Sequence, residues 1–259
     1  MPVLIGTSGW HYKHWRGGLY PAPLPVREWL TYYAERFATV EINNAFYRLP
    51  EASSFANWAV SLPEDFVVAV KASRYLTHVR RLHEPEEPVH RLMERASSLG
   101  AKLGPVLLQL PPSLRLDADG LAAALAAFPR QSRVAVEFRH PSWFVPPVRA
   151  LLERAGAACC LADRAGPTTP LWRTSDWGYV RFHHGRSRPP SCYGQDALDS
   201  WGRRLAELWP STADVFAYFN NDGYGCAPRD SHRFAASVTR AGLSPTRVPS
   251  AREAQLSSH

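Results

Sequence analysis

The chain has 259 residues, of which 45% are hydrophobic and 20% are charged, a length and composition that suit one large α/β domain or two small ones. No apolar run is long enough to span a bilayer, and the first residues read as a strand rather than as a secretion signal, so we expect no membrane association. The formal net charge of +7 favours anionic partners but gives no specificity.

Strands and helices are predicted to alternate along the whole sequence. Short apolar runs predict the strands, and apolar residues at helical spacing predict the helices between them. We expect strands at residues 3–7, 39–43, 67–71, 106–109, 133–140, 157–163, 179–183 and 214–220. We expect helices around residues 29–37, 55–62, 89–99, 121–128, 148–155, 198–208 and 231–241. Residues 72–88 are predicted to be a long loop, and a loop at 164–177 takes the place of a sixth helix.

This alternation predicts a parallel sheet covered by helices. Eight strand–helix units in about 250 residues match a closed (β/α)8 barrel of the TIM type, with helix 6 replaced by a loop. An open doubly wound sheet is the competing interpretation, but residues 6–10 lack the glycine-rich fingerprint that such sheets use for phosphate. We therefore predict a single barrel domain over residues 1–242 and a polar, loosely ordered tail over 243–259.

The predicted strands end in polar or charged residues, and in a barrel the carboxyl ends of the strands carry the active site. Alternation along a strand places Glu137 opposite Val136, and Glu41 opposite Val40 and Ile42. The apolar face must meet the helices, so the polar face should point into the barrel. The strand-end residues expected at the site are Ser8, Glu41, Asn43, Lys71, Gln109, Glu137, Arg139, Asp163, Arg181, His183, Asn220 and Asn221.

The loops after these strands add aromatic and basic residues at the same end of the barrel. Those that we assign to ligand binding are Trp10, Tyr12, Tyr47, His140 and Trp143. Cations beside aromatic rings suit a ligand that carries phosphate or carboxylate on a flat or sugar-like body. Packing of each ring within its own loop is the alternative.

Two non-functional explanations compete with a site. Polar strand ends can cap a solvent-exposed rim, or two acids and two bases can form a structural ion network. The rim explanation fits Glu41, Lys71, Glu137 and Arg181 poorly as a set, because two of these positions lie a pleat inside the rim. The ion network stays open as an alternative.

The four cysteines form neither a C-x-x-C pair nor the spacing of a metal site. Cys159 and Cys160 fall in one predicted strand, where they should face opposite sides as small hydrophobes. We therefore expect reduced cysteines and a cytoplasmic location.

Metal ligands are available in principle among the strand ends, since Glu41, Glu137, Asp163 and His183 would make a hard oxygen and nitrogen set. The cations Lys71, Arg139 and Arg181 stand at the same strand ends. They would repel a divalent ion and neutralise the carboxylates that it needs. We therefore expect no metal and no other cofactor.

Several sequence motifs resemble one known family. They are Gly6-Thr7-Ser8-Gly9-Trp10, residues 40–47 (VEINNAFY), Val70-Lys71-Ala72 with Thr77-His78, residues 108–112 (LQLPP), residues 136–140 (VEFRH) with Trp143, Arg181-Phe182-His183, and Tyr218-Phe219-Asn220-Asn221. The chain resembles the DUF72 (YecE-like) family from the first strand to the last helix. The resemblance implies a TIM-barrel-like fold and, because the family is named for its unknown function, no particular activity. The doubled His183-His184 departs from the single histidine common in the family; strand parity favours His183 as the residue that faces the site.

The residue pattern favours a metal-independent enzyme that acts on a small or nucleotide-like anionic substrate. Lys71, Arg139 and Arg181 would bind the anion and stabilise developing negative charge. Glu41, Glu137 and His183 are candidates for acid–base catalysis, together with Lys71. Hydrolase, lyase and isomerase reactions all stay open, as does oligomeric state. A nucleic-acid-binding or nucleic-acid-processing protein is the alternative, and a non-catalytic ligand sensor is a third hypothesis.

Lysine is rare in this sequence, where only Lys13, Lys71 and Lys102 occur against 30 basic residues in total. An ammonium is a compact charge whose pKa falls when it is desolvated, whereas a guanidinium is bulky and stays charged. A chain that otherwise uses arginine has lysine at residue 71, which suggests that compactness or proton exchange matters there. Simple charge balance with Glu41 or Glu137 is the alternative.

Overall fold

A computed structural model describes residues 2–165 and 169–255. Within these ranges the strands are β1 (Val3–Thr7), β2 (Thr39–Ile42), β3 (Val67–Lys71), β4 (Leu103–Gln109), β5 (Val134–Glu137), β6 (Ala158–Cys159), β7 (Leu161–Asp163), β8 (Gly178–Phe182) and β9 (Val215–Phe219). The α-helices are α1 (Trp29–Arg36), α2 (Asn44–Tyr47), α3 (Ala52–Ser61), α4 (Glu86–Ala96), α5 (Ala118–Ala126), α6 (Pro146–Ala155), α7 (Gln195–Leu208) and α8 (Cys226–Arg240). Short 3-10 and π turns join several of them.

Local sequence explains where several helices begin and end. The Asp117 carboxylate accepts a hydrogen bond from the backbone N–H of Gly120 at 2.9 Å and so caps the start of α5. α6 begins at Pro146, whose fixed φ suits a first helical turn. It ends before Gly156, which adopts a φ of 64°, a conformation that carries no steric penalty without a Cβ.

The strands form two parallel ladders, in the orders β2-β3-β4-β5-β6 and β1-β9-β8-β7. β6 and β7 are one strand position interrupted at Cys160, because β6 pairs with β5 while β7 pairs with β8. The two ladders therefore join through Cys160 on one side. On the other side they meet where Ser8 forms a bridge with Glu41. The architecture is a (β/α)8 barrel, as the sequence predicts.

The junction between β1 and β2 is held by side chains as well as by the bridge. The Tyr33 hydroxyl of α1 accepts a hydrogen bond from Thr7 N and donates one to Thr39 O, each at 3.1 Å. The hydroxyls of Thr39 and Tyr218 are 2.7 Å apart across the same junction. Gly6 has no side chain, and a Cβ there would collide with the backbone carbonyl of Thr39. The strands approach closely because this position is glycine.

Alternating strand residues divide into an outer and an inner core, as expected for a barrel. Val40, Ile42, Val136 and Val180 pack with the helices in the outer core. The inner core consists of Leu4, Ala69, Leu107, Ala135, Ala158, Cys160, Trp177, Tyr179, Phe216 and Tyr218. Because these residues fill the body of the barrel, polar inward side chains are left for its carboxyl end. The expected split of Cys159 and Cys160 between the two faces is confirmed.

Most predicted elements are confirmed, with β1 and β3 matching residue for residue. Three differences concern short elements. The break at Cys160 divides the strand expected at 157–163, α2 follows β2 directly, and a π-helical turn over Tyr75–Val79 interrupts the loop expected at 72–88. Residues 164, 165 and 169–177 contain no helix, in agreement with the loop expected there, whereas 166–168 lie outside the described part of the chain.

The expectation of a loosely ordered tail is wrong for residues 243–255. Thr246 N donates to Val3 O at 2.9 Å, and Val3 N donates to Ser244 O at 2.8 Å, so the tail extends the pairing of β1. The Arg247 guanidinium donates to the carbonyls of Ala34 and Phe37. These bonds involve backbone groups, which hydropathy does not reveal. Residues 256–259 lie outside the described chain.

The expectation of four reduced cysteines is wrong for two of them. Cys192 and Cys226 form a disulfide, with their Cα atoms 5.1 Å apart and a sequence separation of 34 residues. It ties the loop after β8 to the first residue of α8, while Cys159 and Cys160 are free and buried. The pair carries no spacing motif, so connectivity could not be read from the sequence. The cytoplasmic location stays a prediction.

None of the helices in residues 2–165 and 169–255 combines the length and the apolarity needed to cross a membrane.

Candidate functional site

The candidate site lies at the carboxyl ends of the strands, where inward-facing polar residues follow the inner core. Glu41 continues the inward face of Thr39 on β2, and Lys71 continues that of Ala69 on β3. Gln109 and Glu137 stand level with each other on β4 and β5. Arg181 follows the inward Tyr179 on β8. The expectation that Glu41, Lys71, Glu137 and Arg181 share one interior region is confirmed geometrically.

Arg181 is the centre of the site and is almost completely buried. Its Nη2 donates to Oε1 of Glu41 at 2.7 Å, and its Nη1 donates to Oε2 of Glu137 at 2.5 Å. Gln109 Oε1 is 3.4 Å from the same Nη1. One guanidinium therefore bridges two carboxylates from β2 and β5, a geometry that the planar fork of arginine provides.

The remaining carboxylate oxygens also have partners. Tyr179 donates its hydroxyl proton to Oε2 of Glu41 at 2.7 Å. Arg139 donates from Nε to Oε1 of Glu137 at 2.8 Å, and its Nη2 forms an ion pair with the same oxygen at 2.8 Å. Both glutamates are fully buried. Each of their carboxylate oxygens accepts a hydrogen bond from a donor of the protein itself.

These contacts fix the ionisation of the two glutamates. Burial alone would raise the pKa of Glu41, but the Arg181 guanidinium and the hydroxyls of Tyr179 and Ser8 outweigh it, so the pKa is lowered. Burial likewise opposes ionisation of Glu137, yet Arg181, His183 and Arg139 hold its pKa well below the usual range. Both side chains are thus carboxylates near neutral pH. The same carboxylates raise the pKa of Arg181 against the effect of burial.

His183 packs against this network as a neutral ring. Burial, with Arg181 and Arg139 nearby, lowers its pKa despite the attraction of Glu137. Asn220 Nδ2 lies 3.0 Å from Nδ1 of His183, and Nε2 lies 3.3 Å from Oε1 of Glu137. The amide of Asn220 donates to Nδ1, which leaves the proton on Nε2 to point toward Glu137. Glu137 and Asn220 therefore fix both the ring orientation and the tautomer.

Lys71 differs from the other buried charges of the site. Its Nζ lies 3.9 Å from the centroid of the Phe46 ring, and it has no hydrogen-bond or ion-pair partner among the described residues. The side chain keeps only 8% of its surface exposed. Burial and the nearby Arg181 lower the pKa of Lys71 to about 8, although Glu41 and Glu137 act in the opposite direction. At pH 7 the ammonium therefore predominates, and about a tenth of the side chain is the neutral amine.

Sequence reasoning did not assign two neighbours of this site, Tyr179 and Phe46, whereas His78 was placed only in a loop on the same face. Tyr179 could have been found, because it shares the inward parity of Arg181. Phe46 lies on α2, a four-residue helix that hydropathy did not reveal. His78 packs edge-on against Phe46 at 5.0 Å, and burial together with Lys71, Arg74 and Arg139 lowers its pKa to about 4.

Four expected site residues face away from the charged cluster of Arg181, Glu41 and Glu137. Asp163 shares the outward parity of Leu161 and accepts a hydrogen bond from Trp201 Nε1 at 2.7 Å. Asn221 donates to Asp230 of α8 at 2.7 Å and to Ser191 O at 2.9 Å. Both residues face away from the site because they occupy outward-facing positions at the ends of their strands. The strand-end pattern did not take this parity into account.

The other two belong to the turn after β5. His140 Nδ1 accepts a hydrogen bond from the backbone N–H of Ser142 and so begins the 3-10 turn Pro141–Trp143. Trp143 is fully buried, stacks on Phe138 at 5.0 Å and donates to Leu114 O at 2.8 Å. Trp143 is therefore core packing rather than pocket lining.

The aromatic residues of the first loops lie around a small cavity beside the site. Ser8, Trp10, Tyr12 and Asn43 line a space of about 140 Å³. Trp10 also packs against Trp58 at 5.6 Å, and Tyr12 donates to Ser8 O at 2.6 Å. By contrast, 82% of the Tyr47 surface is exposed. The cavity that these four side chains line extends the site toward β1 and β2, whereas Tyr47 lies outside the site.

Larger cavities lie elsewhere. A cleft of about 730 Å³ separates α5 from α6, and one of about 560 Å³ opens at the amino-terminal end of the barrel beside Leu4, Val67 and Phe216. Neither contains the buried charges. We therefore place the site by its chemistry rather than by cavity volume.

No group of three or more His, Cys, Asp or Glu side chains in the described ranges is arranged to hold a metal ion. In addition, the carboxylate oxygens of Glu41 and Glu137 already accept hydrogen bonds from arginine and tyrosine. The absence of a metal or cofactor stays a prediction.

Comparisons with known proteins agree with the fold. UPF0759 protein YunF of Bacillus subtilis (strain 168) is 26% identical over 281 aligned positions, which cover 95% of this chain and 99% of the relative. UPF0759 protein YecE of Escherichia coli (strain K12) is 28% identical over 143 positions, covering 55% of this chain and 50% of the relative. The crystal structure of a DUF72 family protein from Thermotoga maritima covers 92% of this chain and is itself covered completely, with a TM-score of 0.80 and 26% identity. A model of the family described as "Protein of unknown function DUF72" matches residues 4–254. The chain belongs to the DUF72 family.

Proposed function

We propose that the protein is an enzyme that acts on a small anionic substrate, bearing phosphate or carboxylate, at the carboxyl end of the barrel. The observation that carries this proposal is the Lys71 ammonium, which has no ionic partner in the described chain although it is almost buried. A buried unpaired charge is unfavourable unless another group neutralises it. An anionic ligand would supply that group.

The charge balance of the site supports the same conclusion. Glu41 and Glu137 are neutralised by Arg181, and Arg139 also binds Glu137. Three cations therefore face two carboxylates, which leaves one positive charge in excess when Lys71 is protonated. The Arg139 side chain is 25% exposed, so its remaining N–H groups can reach a ligand.

The contacts assign different tasks to the expected catalytic residues. Glu41 and Glu137 have no free oxygen, so they position the arginines rather than exchange protons with substrate. His183 is positioned by Glu137 and Asn220 and takes part in proton transfer only if Asn220 moves. Lys71, with a pKa of about 8, is the group best matched to proton transfer near neutral pH. A divalent metal is not required, and arginine already occupies the carboxylates that would bind it.

Anion binding to the wild-type protein tests the proposal. We expect phosphate, pyrophosphate or citrate to raise the unfolding temperature at low ionic strength, since ligand that binds only the folded state stabilises it. Lys71→Met should abolish the effect. Lys13→Met, which removes an exposed lysine from the loop after β1, is the matched control and should retain it. Equal responses in all three proteins would contradict the proposal.

Turnover distinguishes an enzyme from a sensor. The protein is incubated with a metabolite extract, and depleted and newly formed anions are identified by mass spectrometry. We expect Lys71→Arg to fold but to lose turnover, because a guanidinium is larger and stays charged. A ligand that is bound and recovered unchanged would establish a sensor instead.

Nucleic-acid binding is the second candidate function, favoured by the exposed aromatic rings of Tyr47 and Tyr75 beside the exposed Arg48 and Arg74. Exposed rings near arginines suit stacking on unpaired bases. Such binding should weaken steeply with salt and with Tyr47→Ala in a fluorescence anisotropy titration of a single-stranded oligonucleotide. Lys71→Met should leave it unchanged, which separates the two functions.

A further inference from the structure

The environment of Lys71 suits a nucleophile as well as a proton carrier. An amine attacks a carbonyl only in its neutral form, and burial together with nearby cations favours that form. Lys71 meets both conditions, since only 8% of its surface is exposed and the guanidiniums of Arg181 and Arg139 lie nearby. Because no acceptor in the described residues holds the Nζ, its lone pair can be directed to a ligand.

We propose that Lys71 forms an imine with its substrate, which is therefore an anionic aldehyde or ketone such as a 2-oxo acid or a carbonyl-bearing phosphate. The choice of an anionic carbonyl compound rests on the proposed function, whereas the reactivity of the amine does not.

The step balances without a co-reactant. The Nζ lone pair forms a bond to the carbonyl carbon while the C=O π electrons move to oxygen. One proton passes from nitrogen to that oxygen to give a carbinolamine. The C–O bond then breaks as a second proton leaves nitrogen for the departing oxygen, so that one water is released and the C=N bond forms.

The neutral imine then takes up one proton from solvent, and the surroundings also suit the protonated imine that results. This cation stands where the ammonium stood, above the Phe46 ring at the distance of a cation–π contact. The carboxylates of Glu41 and Glu137, which favour the charged form of Lys71, would favour the iminium for the same reason. Arg139 would hold the anionic group of the substrate.

The other two lysines provide internal controls. Lys13 is exposed and so lacks the buried setting of Lys71. The Lys102 ammonium donates hydrogen bonds to the carbonyls of Ala59 and Leu62. These bonds engage two of its protons and fix the position of the Nζ. Neither environment favours a neutral, directed amine.

Reductive trapping tests the inference on the wild-type chain. The protein is treated with glyoxylate or pyruvate and sodium cyanoborohydride near pH 7.5, digested, and mapped by mass spectrometry. We expect at least about tenfold more adduct at Lys71 than at Lys13 or Lys102, because the lower pKa gives a larger neutral fraction. Trapping at Lys71 should rise with pH to a midpoint near 8. Equal modification of the three lysines, or a Lys71 peptide that stays unmodified, would overturn it.

A neutral carbonyl compound separates the two proposals. If acetaldehyde traps Lys71 as well as glyoxylate does and phosphate does not compete, the amine is nucleophilic but the anion site is refuted. If phosphate binds through Lys71 while no carbonyl compound is trapped there, the anion site holds and the imine is refuted. Lys71→Arg serves as the blank for the adduct, and the wild-type map remains decisive if that variant does not fold.

Discussion

At the scale of single residues, the buried guanidinium of Arg181 neutralises two buried carboxylates at the carboxyl end of the barrel. Two carboxylates from β2 and β5 converge on one side chain from β8. Such a cluster adds little net stability when intact, because each charge has lost its hydration. Its importance appears when one member is removed.

Arg181→Met should therefore lower the free energy of unfolding by about 3–5 kcal/mol, since it leaves two buried carboxylates unpaired. Urea denaturation at pH 7 measures the change. The control is Arg149→Met, which removes an exposed ion pair with Glu153 on α6 and should cost less than about 1 kcal/mol. The triple variant Glu41→Gln, Glu137→Gln, Arg181→Met should recover part of the loss. Equal losses in the two single variants would contradict this account.

Lys71 predicts a rise of stability in alkaline solution. Its pKa falls from 10.5 to about 8 on folding, so between these values the unfolded chain binds a proton that the folded chain has released. Stability therefore increases with pH in this window and is lost as the pH falls through 8. From pH 7.5 to 10, the wild type should gain about 2 kcal/mol of unfolding free energy relative to Lys71→Met. Parallel pH profiles for the two proteins would show that the pKa of Lys71 does not change on folding.

At the scale of elements, the junction of β1 and β2 depends on α1. The Tyr33 hydroxyl accepts from Thr7 and donates to Thr39, where a regular ladder would have used backbone groups alone. We expect Tyr33→Phe to cost about 2–4 kcal/mol of unfolding free energy, because two buried backbone groups lose a partner. Tyr32→Phe, one residue earlier and partly exposed, should change little. Hydrogen exchange at the Thr7 amide would locate the effect, and unaltered exchange there would contradict it.

The disulfide connects two elements at the rim of the barrel. Cys192 and Cys226 are separated by 34 residues, and closing a loop of that length restricts the unfolded chain by about 3–4 kcal/mol. Reduction should lower the unfolding temperature of the wild type accordingly. The double variant Cys192→Ala, Cys226→Ala should unfold at the same lower temperature with or without reductant. A wild-type temperature that does not respond to reductant would show that the bond is not formed in solution.

Hydropathy predicts the strands β1 and β3 well and interruptions within elements poorly. β1 and β3 were predicted residue for residue because uninterrupted apolar runs end at polar residues. The break at Cys160 leaves no trace in hydropathy, since Cys159, Cys160 and Leu161 are all apolar. The pairing partner changes there from β5 to β8, which depends on barrel closure rather than on local sequence.

At the scale of the whole molecule, convergence of the site was predictable but its bonding was not. Closure of the barrel brings inward residues of β2, β5 and β8 together, so strand parity alone placed Glu41, Glu137 and Arg181. Parity does not predict that Arg181 forms ion pairs with both carboxylates. Because of these ion pairs, Glu41 and Glu137 are poor candidates for the acid–base role expected of them. That result needs distances between strands that are far apart in sequence.

The order of synthesis separates β1 from its ladder partner in time. Its ladder partner is β9, and its amino-terminal residue is bonded to residues 244 and 246, so both partners come from the last part of the chain. β2, which is made soon after, meets β1 through the Ser8 bridge and the Tyr33 hydroxyl rather than through a ladder. During translation the first apolar strand emerges from the ribosome long before β9, and an unpaired apolar strand is prone to aggregate. In the nascent chain, residues 3–7 therefore stay without their ladder partner until synthesis is nearly complete.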